Sequence, residues 1–104
     1  MVSIIHENLS NNNSSVIFKF GPRHLRWDAT AQESPVSING QDMINRVVIN
    51  PTLLGMCLTA LDLPENTTEK SMLLQLKPSE AENYLTIKDY LDHIVKRMQI
   101  KDIG

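Results

Sequence analysis

The chain has 104 residues and a net charge of −2, from 10 basic and 12 acidic side chains. That length predicts a single domain spanning residues 1–104 with one modest core, and 41% apolar with 21% charged residues is ordinary globular composition. No apolar run approaches the roughly 18 residues of a membrane span, and the single cysteine, Cys57, excludes an intrachain disulfide framework or a cysteine-rich metal site.

Met1–Glu7 lacks a basic start and a long apolar segment, so the sequence predicts no secretory signal and a cytoplasmic protein. Val2 to His6 alternates weakly, as in a short strand. Residues 8–15 are rich in Asn and Ser, whose side chains bond nearby backbone and favour turns. They predict a flexible loop. Val16-Ile17-Phe18-Lys19-Phe20 is β-branched and aromatic, which predicts a strand. Gly21-Pro22 marks a turn. His24 to Asp28 then alternates, with Leu25 and Trp27 on one face and His24 and Arg26 on the other.

Residues 29–35 read as a loop ending at Pro35. Val36-Ser37-Ile38 alternates again, and Asn39-Gly40 is a two-residue hairpin signal. The return strand is expected over residues 44–49. A helix over 41–48 competes, weakened by its β-branched run. Asn50-Pro51 has the chemistry of a helix start. The segment after it, through Leu61, is apolar on nearly every side, as in a buried helix. Ser71 to Leu76 reads as a further strand bounded by Pro78.

The last segment combines a capping box at Ser79 and Glu82 with a second start signal at Thr86 and Asp89. Ile87, Tyr90, Leu91, Ile94, Val95 and Met98 recur at helical spacing. Lys88, Asp89, Asp92, His93, Lys96 and Arg97 fill the opposite side. The expected start is 80 or 86, and the basic residues Lys96, Arg97 and Lys101 suit the helix C-terminus. Strands grouped before helices predict an α+β fold. The expected architecture is an antiparallel sheet of about four to five strands, with two helices on one face and the C-terminal helix amphipathic.

Charge is uneven along the chain: +2 over residues 1–27, −5 over 28–69 and +1 over 70–104. A dedicated nucleic-acid-binding domain shows a basic excess, because it displaces counterions from phosphates. The whole chain shows none. The four glycines are isolated, so no phosphate loop exists, and no nucleophile-elbow or zinc-protease pattern occurs. Cys57 sits among apolar neighbours that offer a thiolate no stabilisation. Asp89 and His93 stand four apart on one helix, two ligands where a stable zinc site needs three or four. No metal, cofactor or catalytic residue is expected.

The stretch with the most recognition chemistry is Arg23, His24, Arg26 and Trp27. Arg and Trp are enriched in interface hot spots, and Arg holds phosphate or carboxylate bidentately. The sequence therefore predicts a non-catalytic protein-binding module of the adaptor, chaperone, immunity or regulatory kind. Its expected partner is another protein or a second copy of itself, with no membrane involved. The alternative is binding of nucleic acid or a phosphate ligand through a basic patch around residues 19–27.

Overall fold

The computed structural model describes residues 4–10 and 12–99. Four strands come first: β1 (Ile4–Ser10), β2 (Asn13–Phe20), β3 (Arg23–Ile38) and β4 (Gln41–Ile49). Three helices follow: α1 (Leu53–Ala60), α2 (Glu69–Gln75) and α3 (Pro78–Gln99). The strands form one antiparallel sheet in the order β1-β2-β3-β4. This is the expected α+β class, with four strands. Among the described residues no helix is long and apolar enough to cross a membrane.

Period-two alternation sorts the sheet into two faces. Val16, Phe18 and Phe20 of β2 and Trp27, Ala29 and Ala31 of β3 are buried under the helices. They share one core with Leu53, Cys57 and Leu58 of α1, Met72 of α2, and Tyr84, Ile87, Leu91, Ile94 and Met98 of α3. The apolar stripe of α3 therefore serves core packing. Among the described residues no helix lies on the other face of the sheet.

Two expected loops are strands. Asn8–Ser10 and Asn13–Ser15 belong to β1 and β2, which pair from Ile4↔Phe18 onward with an irregularity between Asn8 and Ser10. Long-range pairing overrides turn propensity here, because Ser14 and Ser15 lie in a central strand bonded on both sides. Their neighbours find tertiary partners as well. Thr30 Oγ1 donates to Asn13 Oδ1 at 3.2 Å, and Arg46 Nη1 donates to Asn12 Oδ1 at 3.1 Å. Residues 29–35 run straight through β3, where the small Ala29 and Ala31 let the helices approach closely. Asn39 and Gly40, with φ 53° and 81°, make the expected two-residue turn, and β4 is the strand rather than the competing helix. Val2, Ser3, Asn11 and Lys101 lie outside the described residues.

The helix starts differ from expectation by identifiable chemistry. α1 is capped by Thr52, not Asn50, and the Thr52 hydroxyl accepts from Gly55 N at 3.1 Å. A Cβ on Gly55 would stand 2.8 Å from that hydroxyl, so a larger residue there would require the Thr52 side chain to shift. Ser71–Gln75 is helical, not a strand, and Leu76 is its extended C-cap. Thr68 caps it by accepting from Ser71 N at 3.1 Å, Glu69 suits its first turn, and the segment has no β-branched residue. This gives three helices where two were expected. α3 starts at Pro78, where a missing N–H costs nothing, and Thr86 bonds back to Glu82 O at 3.1 Å inside the helix.

Candidate functional site

Trp27, Arg23, His24 and Arg26 do not form one cluster. Trp27 points to the helices, is 1% exposed, and donates from Nε1 to Pro51 O at 3.0 Å. It fastens the sheet to the lead-in of α1 and has no surface to offer a partner. Arg23 is exposed at the β2–β3 turn. His24 and Arg26 lie on the helix-free face, where the register sets Lys19 opposite His24 and Ile17 opposite Arg26. Arg26 Nε donates to Ser15 Oγ at 3.0 Å and pairs with Asp28 Oδ1 at 3.1 Å. Its guanidinium thus lies across Ser15 and shields it, which accounts for a buried serine on an open face.

The pairing of β3 explains the rest of that face. β2 pairs with β3 only over Arg23–Thr30, whereas β4 pairs with it over Thr30–Ile38. The β3–β4 hairpin therefore projects beyond β1 and β2 as a two-stranded ribbon, and the molecule measures 53 × 28 × 17 Å. Alternation puts Val36, Ile38, Met43, Val47 and Ile49 together on the open face of this ribbon. Ile38, Met43, Val47 and Ile49 are each about half exposed. Ile44 stands on the opposite side of the ribbon and is 59% exposed. The open face thus carries a polar, partly basic group at Lys19, His24, Arg26 and Asp28, an exposed Ile5 opposite Ile17, and further exposed apolar side chains on the hairpin.

The hairpin is held at its base by Arg46. Its Nη1 lies 2.7 Å from Glu33 Oε1, and its Nε donates to the Met98 carbonyl in the last turn of α3. A cation at a helix C-terminus satisfies an orphan acceptor and complements the dipole.

A concavity of about 270 Å³ lies over Trp27 and is lined by Leu53, Leu54, Glu69, Tyr84, Lys88 and Leu91 among others. Glu69, Lys88 and Tyr84 in its wall are engaged with each other. Glu69 accepts from Lys88 Nζ at 3.0 Å and from Tyr84 Oη at 2.8 Å. The Lys88 and Tyr84 hydrogen bonds hold the Glu69 carboxyl below its usual range, and burial together with Glu69 pushes the Tyr84 phenol up. This cluster clamps α2 to α3. Burial pushes the Cys57 thiol up to about 12, which suits an inert core residue. Among the described residues no group of three or more His, Cys, Asp or Glu is placed to hold a metal ion.

The chain matches no protein-family model, and no curated protein or solved structure matches it.

Sequence reading missed the apolar zone on the ribbon. β4 carries apolar residues at both parities, Met43, Val47 and Ile49 against Ile44 and Val48. Alternation alone therefore cannot say which side is covered. The signal that could have found it is Pro35 opposite Ile44: a proline inside a strand marks an edge that no neighbour covers.

Proposed function

We propose that this protein is a small non-catalytic protein-binding module, an adaptor, chaperone, immunity or regulatory protein of the cytoplasm, working from the open face of its sheet. The observation that carries the reading is the half-exposed row Ile38, Met43, Val47 and Ile49 on a projecting hairpin. Exposed apolar side chains scattered singly are ordinary, but a contiguous group rimmed by polar residues marks an interaction surface. Here Val36, Ile38 and Met43 group at the hairpin tip and Val47 and Ile49 at its base, with the exposed Ser34–Asn45 pair between them.

The second reading, a nucleic-acid or phosphate ligand at Lys19, Arg23, His24 and Arg26, is favoured by three of those residues sharing one face. It is weakened by Asp28, which already pairs with Arg26.

One experiment separates the two. The tagged protein is used to capture partners from extract of its own cell, beside Ile38→Lys and Arg26→Glu variants, with and without nuclease. A stoichiometric protein partner that survives nuclease, is lost with Ile38→Lys and is kept with Arg26→Glu supports the first reading. Recovery that collapses with nuclease, with added salt or with Arg26→Glu moves the function to the basic zone.

A further inference from the structure

We infer that the cavity over Trp27 is a binding site for a small organic cation, an ammonium or guanidinium group on an apolar body about the size of one ring. This goes beyond the protein-binding reading and does not depend on it.

Four stretches of chain build the cavity. β3 supplies Trp27, the lead-in and first turn of α1 supply residues 50–54, and α2 supplies Glu69. α3 supplies Tyr84, Lys88, Leu91, Asp92 and Val95, whose spacing puts them in one stripe along the helix. Tyr84 and Leu91 of that stripe also belong to the core, and Lys88 and Asp92 lie beside it. The volume, about 270 Å³, equals the share of about nine waters in the liquid, which suits a ligand of about that many heavy atoms. Small-molecule sites form where separate elements meet, and they combine mostly apolar walls with a few placed polar groups. Trp27, Leu53, Leu54, Leu91 and Val95 are the apolar walls here.

Charge selects the ligand. The cavity carries two carboxylates, Glu69 and Asp92, against one ammonium, Lys88. Lys88 is committed to Glu69, with Nζ at 3.0 Å from both carboxylate oxygens. Asp92 has no such partner: among the described residues no group donates a hydrogen bond to its carboxylate. It stands one turn beyond Lys88 on α3 and is exposed, so a ligand lying in the cavity can reach it. The first turn of α1 opposes this negative charge, because a helix N-terminus carries about half a positive charge. A net negative charge of roughly half a unit is left. A cation gains from that balance and an anion loses. The apolar walls take the rest of the ligand out of water.

Proton–nitrogen correlation NMR of the intact protein at neutral pH tests this, with phenethylammonium as the probe. Saturable shifts are expected at the Trp27 indole N–H and at the backbone of Leu54 and Asp92. Dissociation should fall in roughly the millimolar range, as suits so small a ligand. Phenylacetate has a similar size and the opposite charge, and should bind at least about tenfold more weakly. Asp92→Asn should weaken the cation about tenfold, and Asp92→Lys should abolish its binding. Glu65→Gln removes an exposed carboxylate outside the cavity and should leave binding unchanged. Unchanged Trp27 emission keeps loss of binding apart from loss of fold. Shifts that never saturate, shifts centred elsewhere, phenylacetate binding as well as the cation, or Asp92→Asn binding like the wild type would each overturn the inference. The binding-module reading is decided separately, by the capture experiment.

Discussion

Arg46 and Glu33 stand directly opposite each other on β4 and β3, with guanidinium and carboxylate 2.7 Å apart and only 9% of the arginine side chain exposed. The same guanidinium reaches the Met98 carbonyl, so one side chain joins the ribbon, the sheet and the end of α3. Arg46→Ala leaves a carboxylate and a helix-end carbonyl without this partner. The expected cost is about 2 kcal/mol, below that of a fully buried pair because Glu33 is partly solvated. Glu33→Gln keeps a hydrogen-bond acceptor and should cost less than half as much. Urea unfolding followed by Trp27 fluorescence measures both. Equal losses would show that the ion pair, rather than the arginine's wider bonding, sets the effect.

The Glu69 clamp makes a prediction about pH. Its carboxyl is held below the usual range in the folded protein, by Lys88 first and Tyr84 second. The folded state therefore binds fewer protons than the unfolded chain as pH falls through the carboxylate range. Glu69 contributes its stability above the ordinary glutamate value and loses it as pH drops through the depressed one. Glu69→Gln should flatten the acid limb of the stability curve below about pH 5. An unchanged limb would remove the clamp from the account.

Cys57 supplies a chemical test of the core. It is fully buried and its thiol is pushed up to about 12. The native protein should not react with a thiol-specific disulfide reagent near pH 8. One equivalent should react once denaturant unfolds the chain. Fast labelling of the native state would mean that α1 does not pack as described.

Asp62 occupies the left-handed region, with φ 57°, just beyond α1. Leu63 N reaches Leu58 O at 2.9 Å and Asp62 N reaches Thr59 O at 3.2 Å, which is the bonding of a Schellman cap. Glycine adopts that backbone without cost. Asp62→Gly should raise stability by about 0.5–1 kcal/mol. A thermal melt reads the gain, and a loss would place value on the Asp62 side chain itself.

Legibility in the sequence followed how local each cause was. β2, the Asn39-Gly40 turn and the amphipathic body of α3 are set by residues next to one another, and they were readable. α2 was not, because six apolar-rich residues fit a strand or a helix equally well until the Thr68 cap is weighed. Residues 8–15 and 29–35 have the polar, small composition of loops. Their strand conformation comes from partners many residues away. The candidate site followed the same rule. The exposure of His24 and Arg26 could be read from alternation. The burial of Trp27 against Pro51 and the open row on the ribbon depended on where β2 stops along β3.

Every pairing in the sheet joins strands adjacent in the chain, but the core face of that sheet is closed mainly by α3, the final element. During synthesis the four strands can zip together as each hairpin clears the ribosome. Val16, Phe18, Phe20 and Trp27 then wait, facing water, until Tyr84, Ile87, Leu91 and Ile94 arrive. A nascent chain halted before Pro78 would be a half-covered sheet, the form most in need of a chaperone. Protection from aggregation is therefore acquired late and all at once, when the last helix swings onto the finished meander.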